Sequence, residues 1–285
     1  MSVRPSASGT LESSGAAPDA RPAPVRSHPS SPAAAPVVIG GVTKVYSNGT
    51  KALDGISFDV AEREFVTIVG PSGCGKSTLL RMVAGLGTAT AGTIRVFALP
   101  PTQARRQQGG LAFVFQDPTL MPWRTVLANV TLPLELRGVE AGRRAEEGKR
   151  ALDLVGLAQS ASMYPRQLSG GMKMRVSIAR AMAVHPRLLL MDEPFGALDE
   201  ITRQHLDREL QDLWIRSPLT VLFVTHNVFE AVFMSTRIVV MSAQPGRVAG
   251  IIAVDVPFPR EDAFRASPAF GRLVEAVTNL LAAHR

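Results

Sequence analysis

Residues 70–78, GPSGCGKST, have the composition and order of a phosphate-binding loop. They match the pattern G-x-x-x-x-G-K-[ST], follow an apolar run at residues 64–70 and precede a helical pattern over residues 76–85. Glycines let the backbone wrap a phosphate with its N–H groups turned inward. Lys76 reaches the β- and γ-phosphates of a nucleotide, Ser77 is expected to ligate Mg²⁺, and Thr78 is placed for the α-phosphate. The candidate phosphate-binding residues are Gly70, Pro71, Ser72, Gly73, Cys74, Gly75, Lys76, Ser77 and Thr78.

Two acidic residues end a second pattern of a buried strand. The run LLLMDEP places four apolar residues directly before Asp192 and Glu193. An acid at the carboxyl end of a parallel strand lies in the ligand crevice. We therefore expect Asp192 to hold Mg²⁺ through water, and Glu193 to be free to polarise an attacking water. A solvated turn with two acids is the alternative, which the preceding apolar residues disfavour.

His226 and Gln116 follow two further apolar runs, TVLFVT and FVF. A histidine at the end of a strand is more often structural than catalytic. Beside a phosphate loop and an acid-tipped strand, His226 becomes a candidate contact for the γ-phosphate. Gln116, taken singly, is a surface glutamine.

A second glycine stretch lies about a hundred residues after the first. Residues 168–182, LSGGMKMRVSIARAM, place Ser169, Gly170 and Gly171 directly before a helical pattern. Free backbone N–H groups and the positive end of the helix dipole make such a start an anion site. The glycine turn contains no lysine, so it raises the question of whose phosphate it holds.

These motifs, in this order, resemble the ATP-binding subunit of an ABC transporter. The resemblance covers residues 37 to about 256 and rests on six separate motifs. It implies an ATPase that uses ATP and Mg²⁺ and works as a head-to-tail dimer. In such a dimer, Ser169, Gly170 and Gly171 of one copy hold the γ-phosphate of the ATP bound by Lys76 of the other copy, which answers the question that the second glycine stretch raises.

The resemblance also implies roles for residues outside the glycine loops. Tyr46 would stack on adenine, with a half-buried strand tyrosine as the alternative. Gln116 would sense Mg²⁺ and the attacking water, Asp199 of GALD would lie at the dimer seam, and His226 would be the switch histidine. Met172 stands where most of the family has glutamine, which puts in doubt a hydrogen bond expected there, to the ribose.

Three longer stretches resemble the branch of the family that serves nitrate, sulfonate and taurine importers. They are LSGGM, DPTLMPWRTVLANVTLPLEL and VTHNVFEAVFMSTRIVVMSAQPGR. Near relatives in that branch are similar to transporters of thiamine-precursor pyrimidines. The implied partners are a transmembrane permease, a second copy of the chain and, indirectly, a periplasmic or extracellular solute-binding protein. The implied location is peripheral, on the cytoplasmic face of the cell membrane.

The segment directly after Gln116 is the predicted docking groove for the permease. Residues 118–130, PTLMPWRTVLANV, contain Met121, Pro122 and Trp123, which suit an apolar docking surface. The alternative is that Trp123 anchors the helical insert in the core.

Composition limits the competing classes. The 285 residues are 46% apolar, contain one cysteine and carry a formal net charge of +7. One cysteine excludes an internal disulfide framework, and the basic charge permits a soluble cassette ATPase that works on DNA or ribosomes. Such proteins usually have tandem cassettes or a long coiled-coil insert, so we expect no nucleic-acid partner. A P-loop kinase or GTPase would lack the signature at residues 168–172.

The elements that must position these residues indicate an α/β fold. Buried strands followed by helices predict a P-loop NTPase core with a parallel sheet, an N-terminal antiparallel β-subdomain and a helical insert. Residues 1–36 are predicted to be a disordered tail because they have almost no large apolar side chain. Residues 37–285 form the predicted ATPase domain. Within it, residues 117–184 are the helical subdomain, and residues 257–285 are a C-terminal extension with an amphipathic helix.

Overall fold

A computed structural model describes residues 35–107, 109–217 and 219–284. Residues 1–34, which make up nearly all of the predicted tail, lie outside the described part of the chain. The strands are β1 Val37–Val45, β2 Lys51–Val60, β3 Phe65–Val69, β4 Ala91–Val96, β5 Leu111–Val114, β6 Leu188–Asp192, β7 Thr220–Thr225, β8 Arg237–Met241 and β9 Val248–Ala253. The helices are α1 Lys76–Val83, α2 Pro101–Ala104, α3 Val126–Leu136, α4 Ala141–Leu154, α5 Gly170–Met182, α6 Glu200–Arg216, α7 Val228–Met234, α8 Asp262–Arg265 and α9 Pro268–Ala283.

The strands form two sheets. A three-stranded antiparallel sheet has the order β2-β1-β4, and a six-stranded sheet has the order β5-β6-β7-β3-β8-β9. Every neighbouring pair from β5 to β8 is parallel, and β9 pairs antiparallel with β8 at the edge. The predicted α/β class, with a parallel core, an N-terminal antiparallel sheet and a helical insert, is confirmed.

The central strands of the larger sheet are buried on both faces. All residues of β3, β6 and β7 are buried, which explains why their sequences are continuous apolar runs instead of alternating patterns. The register places Val69 beside Thr225 and Asp192 beside Val224, so the carboxyl ends of the three strands meet at one edge. This edge is where the glycine loop, the two acids and His226 emerge from the sheet.

The smaller sheet places Tyr46 above that edge. Tyr46 directly follows β1, and the turn to β2 is closed by hydrogen bonds from the Tyr46 N–H to the Thr50 carbonyl and from the Gly49 N–H to the Tyr46 carbonyl, both 2.9 Å long. The side chain is 45% exposed. The strand ends one residue before Tyr46, so this side chain stands at the start of the turn between β1 and β2.

The helices α3, α4 and α5 lie between β5 and β6 in the chain and pack together. Arg180 of α5 reaches across to the segment after β5, where its guanidinium donates hydrogen bonds of 2.9 Å to the Thr119 carbonyl and 2.7 Å to the Pro118 carbonyl. The buried Asn129 amide donates to the carbonyls of Met121, Arg124 and Thr125. These bonds fix the segment that contains Trp123.

Trp123 itself projects from this segment. Its side chain is 73% exposed. The hydrogen bonds to Asn129 and Arg180 fix the surrounding backbone, and the indole takes no part in them. The alternative in which Trp123 anchors the insert in the core is wrong.

The C-terminal residues pack on the larger sheet through α9. Phe270 and Val277 are buried, and Leu273, Val274, Leu280 and Leu281 pack beside them, as the amphipathic pattern predicts. Arg260, which is 3% exposed, donates to the carbonyls of Val232, Phe233 and Ser235 at the end of α7. Within the described residues, no helix combines the length and the apolar character needed to cross a bilayer.

Candidate nucleotide-binding site

The loop between β3 and α1 requires glycine at specific positions. Gly75 has a φ of +98°, and a Cβ there would lie 2.6 Å from the Leu53 side chain and 2.9 Å from the Ala52 carbonyl oxygen. A Cβ on Gly70 would lie 2.9 Å from the Cys74 sulfur. The backbone therefore runs in contact with its neighbours, and the N–H groups at the start of α1 are left for an anion.

Cys74 lies in this loop as a small buried side chain. It is 1% exposed, and burial raises the pKa of its thiol. A raised thiol pKa leaves little thiolate, so the side chain is suited to packing and not to redox chemistry.

Lys76 is buried at the first position of α1. Its ammonium donates hydrogen bonds of 2.9 Å to the Gly70 carbonyl and 3.0 Å to the Pro71 carbonyl, and lies 3.6 Å from Glu193 Oε1. The loop thus folds around its own cation. Phosphate oxygens at the centre of this loop would replace the carbonyls as partners of the ammonium.

Ser77 and Asp192 meet at the carboxyl end of β6. The Ser77 hydroxyl donates a 2.6 Å hydrogen bond to Asp192 Oδ1. Burial raises the pKa of Asp192, and this hydrogen bond partly opposes the shift. In the described residues, no cluster of three or more His, Cys, Asp or Glu side chains could hold a metal. The two oxygens fit Mg²⁺, which is usually bound by one or two protein oxygens together with substrate phosphates.

Glu193 is held between two partners. Its Oε2 lies 2.9 Å from His226 Nδ1, and its Oε1 faces Lys76. The backbone has a φ of +46°, and it is fixed by hydrogen bonds to the Val224 carbonyl and from the Gly196 N–H. A non-glycine residue in this region of φ/ψ space is uncommon and clusters at functional sites. Glu193 thus has partners on both sides in this structure, and its role toward an attacking water stays a prediction.

Tyr46, which is predicted to stack on adenine, adjoins the glycine loop. The Tyr46 hydroxyl lies 2.9 Å from Thr78 Oγ1, and the Lys44 ammonium lies 5.4 Å from the centre of the Tyr46 ring. An open cleft of about 260 Å³ extends from Tyr46 to Glu193. The remaining cleft-lining residues are Thr50, Ala52, Ser72, Gly73, Gly75, Lys76, Ser77, Thr78 and Gln244.

Gln116 lies two residues beyond β5 and is exposed. Its amide nitrogen is 3.8 Å from the position that a Cβ on Gly196 would take, so it lies against the loop that follows Glu193. No hydrogen bond joins Gln116 to Ser77 or Asp192 in the described parts of the chain. The structure thus brings Gln116 beside the loop after Glu193 without a direct contact to the Ser77–Asp192 pair.

The second glycine stretch begins α5. Ser169 caps the helix, and its hydroxyl oxygen accepts a 3.3 Å hydrogen bond from the Met172 N–H. Gly170 is exposed, whereas Gly171 is buried, and a Cβ on Gly171 would lie 3.0 Å from the Thr202 methyl group. The glycine at position 171 is therefore also needed for the close approach of α5 and α6.

Asp199 caps the neighbouring helix α6. Its Oδ1 accepts a 2.9 Å hydrogen bond from the Thr202 N–H, and hydrogen bonds to Thr202 lower the pKa of Asp199. Ser169, Gly170 and Asp199 are all exposed and lie at the adjoining starts of α5 and α6. None of the three lines the cleft of its own chain.

Comparison with protein families identifies this arrangement. A family described as ABC transporter matches residues 53–196, which include the glycine loop, the second glycine stretch and the two acids. The chain belongs to the ABC transporter family. Within it, the chain has the features of an ATP-binding subunit.

Relatives of this ABC subunit include two importer components. An aliphatic sulfonates import ATP-binding protein of Bacillus cereus is 42% identical over 79% of this chain and 88% of its own length. A taurine import ATP-binding protein of Rhizobium johnstonii is 42% identical over 83% of this chain and 91% of its own length. A protein of Brucella abortus, named only for ATP binding, is 48% identical over 79% of this chain and 85% of its own length.

A solved structure has the same fold. It is a dimeric structure of a post-hydrolysis state of the ATP-binding cassette MJ0796, bound to ADP and Pi. The TM-score is 0.68 at 33% sequence identity, over 78% of this chain and 100% of that chain.

Gln244, like Thr50 and Ala52, is a cleft residue of the ABC subunit that the sequence does not reveal. Its loop is placed by hydrogen bonds from the Gly246 N–H to the Ala52 carbonyl and from the Asp54 N–H to the Gly246 carbonyl. The sequence QPGR indicates a turn there, but nothing local shows that the turn lies along β2 beside the glycine loop.

Proposed function

We propose that this ABC subunit hydrolyses ATP to ADP and phosphate and couples the reaction to uptake of a small solute through a membrane permease. The observation that carries the proposal is the convergence of three features at one sheet edge. These are Lys76 in the glycine loop, the Ser77–Asp192 pair and the Glu193–His226 pair. Together they match the needs of phosphoryl transfer to water, which are charge stabilisation, metal binding and orientation of the nucleophile.

In the proposed reaction, Lys76 turns from its two carbonyl partners to the β- and γ-phosphate oxygens. Glu193 then loses its cation and accepts a proton from the attacking water, while His226 keeps the carboxylate oriented through the 2.9 Å contact. Ser77 and Asp192 would hold Mg²⁺, which would supply neutralisation of charge on the phosphates. Gln116, beside the loop at Gly196, would be the residue that senses the metal and the attacking water.

The proposed active unit is a head-to-tail dimer of two copies. Ser169 and Gly170 are exposed at an anion-binding helix start but do not line their own chain's cleft, so they are available to the ATP of a second copy. The dimeric ATP-binding cassette with the same fold supports this arrangement. In the proposed dimer of this chain, Asp199 lies at the seam between the copies, beside Ser169.

The proposed permease contact is the surface around Trp123. A tryptophan that is 73% exposed on a segment fixed by Asn129 and Arg180 is a rigid apolar anchor of the kind that dominates protein interfaces. Docking there would hold the subunit on the cytoplasmic face of the membrane.

The proposed solute is a small molecule with a sulfonate group, such as an aliphatic sulfonate or taurine. The support is the pair of importer relatives, each 42% identical and covered over most of its length. A solute-binding protein outside the membrane would select the cargo. With the permease in vesicles, taurine-loaded or sulfonate-loaded binding protein should stimulate phosphate release, and equal rates with and without it would argue against the assignment.

Replacing Glu193 tests the proposed hydrolysis most directly. Glu193→Gln keeps the size of the side chain but removes the general base, so phosphate release should fall by a factor on the order of 10²–10⁴. ATP and Mg²⁺ should still bind, because Lys76, Ser77 and Asp192 are unchanged. Glu62→Gln, at an exposed turn, is the control and should behave as the parent. A Glu193→Gln protein that releases phosphate at the parent rate would disprove the assignment.

A further inference from the structure

Arg203, in the first turns of α6, holds the loop that follows Glu193. Its guanidinium donates a 2.8 Å hydrogen bond to the Leu198 carbonyl and a 3.3 Å hydrogen bond to the Phe195 carbonyl. A third hydrogen bond, 2.9 Å long, reaches the Glu200 carboxylate. One side chain thus holds the loop between Glu193 and Asp199 at two points, Phe195 and Leu198.

Two buried acids lie behind Arg203. Asp207 of α6 is 1% exposed and Glu230 of α7 is 3% exposed. In the described structure, Asp207 Oδ1 and Glu230 Oε1 are buried without a hydrogen-bond partner, while Asp207 Oδ2 accepts a 2.7 Å hydrogen bond from Arg265. Buried unpaired carboxylate oxygens are rare enough in folded proteins to need an explanation.

Glu230 also faces the loop that carries His226. Helix α7 begins directly after that loop, and the Glu230 N–H donates a 3.2 Å hydrogen bond to the side chain of the capping residue, Asn227. The Glu230 carboxyl is hydrogen-bonded to Thr225, the residue before His226. Glu230 therefore contacts the support of His226, and Arg203 contacts the support of Glu193.

We propose that Arg203 and Glu230 are a pair of positioning residues that hold Glu193 and His226 in register for ATP hydrolysis. Neither side chain lines the nucleotide cleft, so both act through the two loops and not on the substrate. This inference rests on the proposed ATPase activity and adds two residues that the motifs do not include. The charge of Arg203 faces Glu230 and Asp207, which keeps its guanidinium between the acids and the loop carbonyls.

The protonation state of Glu230 determines how strongly the acids attract the Arg203 guanidinium. Burial and the charge of Asp207 raise the pKa of Glu230 to about 8, and burial raises the pKa of Asp207 to about 6. Burial and mutual repulsion therefore favour a proton on this pair of acids near neutral pH, more strongly on Glu230 than on Asp207. The other charged groups that face the two acids are Arg203, Glu193, Arg265 and Glu200.

Ionisation of Glu230 would place a second negative charge beside Asp207. That charge attracts the Arg203 guanidinium away from the carbonyls of Phe195 and Leu198 and loosens the loop after Glu193. The hydrolysis rate should therefore decline as the pH rises through about 8. ATP affinity should not follow this decline, because the glycine loop does not contact the pair.

The test compares full-length variants of the two residues with one matched control. Arg203→Gln, Arg203→Lys and Glu230→Gln alter the pair, whereas Arg208→Ala removes an exposed arginine of the same helix that pairs with Asp262. Two measurements are made from pH 6.5 to pH 9. They are the Kd for ATP with Mg²⁺ and the rate of phosphate release at saturating ATP.

We expect Arg203→Gln to lower kcat by a factor of about 10 to 10², the scale of a small misplacement of catalytic groups, with the Kd for ATP within about twofold of the parent. Arg203→Lys should retain part of kcat, since it keeps the charge but only one donor group. Glu230→Gln should lose the decline in kcat near pH 8, because the glutamine amide does not ionise. Arg208→Ala should match the parent throughout.

Three outcomes would overturn the inference while leaving the proposed ATPase activity in place. One is an Arg203→Gln protein that melts earlier but keeps the parent's kcat and pH profile, since that makes Arg203 merely structural. Another is a Glu230→Gln protein with the parent's alkaline decline. If Arg203→Gln does not fold, an Arg203→Lys protein with the parent's kcat would count equally against it. A parent protein that releases no phosphate would instead overturn the proposed ATPase activity, and this inference with it.

Discussion

Among single residues, Lys76 is the one on which the proposed binding of ATP depends most. The ammonium is buried in the glycine loop and has two carbonyl oxygens and one carboxylate as its neighbours. It is the cation that the chain itself provides at the centre of the loop. In this position the ammonium can exchange its carbonyl partners for phosphate oxygens.

Lys76→Ala should abolish tight ATP binding. A charge-assisted hydrogen bond is worth roughly 1.5–3 kcal/mol, so loss of the ammonium should weaken binding by about 10-fold to 100-fold or more. Calorimetry with ATP and Mg²⁺ measures the effect, and Lys149→Ala, at an exposed position of α4, is the control. Unchanged affinity in Lys76→Ala would show that the loop is not the phosphate site.

The residue scale also shows where sequence reasoning reaches its limit. Lys76, Ser77 and Asp192 are predictable because a motif or a strand end fixes their place, and the structure brings them together. The pairing of Glu193 with His226 is not predictable in this way, because it depends on the register between β6 and β7. Arg203 carries no local signal, since one more arginine on a helix is expected to face solvent.

At the scale of elements, strands are predicted best. The buried runs in β3, β6 and β7 are recognisable because both faces are covered, so apart from three threonines and the terminal Asp192 their residues are apolar. The short helices α2, α7 and α8 are not predicted, because four to seven residues are too few to show helical periodicity. Helix α1 ends at Val83 and not at residue 85, where the chain turns through Gly85 with a φ of +67°.

The buried Glu230 carboxyl of α7 should make the free energy of unfolding depend on pH. The pKa of Glu230 in the fold, about 8, lies above its ordinary value of 4.5, so the folded state favours the protonated form. The stability linked to this proton is complete below about pH 4.5 and is lost as the pH rises toward 8. Glu230→Gln should therefore melt increasingly above the parent from pH 5 to pH 9. A melting-temperature difference that does not change with pH would contradict the buried position of this carboxyl.

The segment before α3 should bind the permease through Trp123. Trp123→Ala should weaken the association by about 2 kcal/mol, the scale of an interface anchor, and leave ATP binding unchanged. Co-purification and binding titrations with the permease measure the loss. Ile215→Ala, an apolar residue 45% exposed at the end of α6, should have no effect. Equal affinities for parent and Trp123→Ala would exclude this surface as the docking site.

Across the whole molecule, the proposed dimer requires that one chain contain two halves of two different ATP sites. The glycine loop with its acids forms one half, and the starts of α5 and α6 form the other. Ser169 and Gly170 do not line the cleft of their own chain. In the proposed dimer a complete site forms only between copies, which would link ATP binding to closure of the dimer.

The most direct measurement of this claim is the size of Glu193→Gln in solution with ATP and Mg²⁺. Because unhydrolysed γ-phosphate keeps bridging the two copies, this variant should elute as a dimer with ATP and as a monomer without it. Adding Ser169→Arg should abolish the dimer and preserve ATP binding, since the bulk of arginine enters the γ-phosphate position only across the interface. A double variant that still dimerises with ATP would contradict the account, because residues 168–172 would then not face the nucleotide of a second copy.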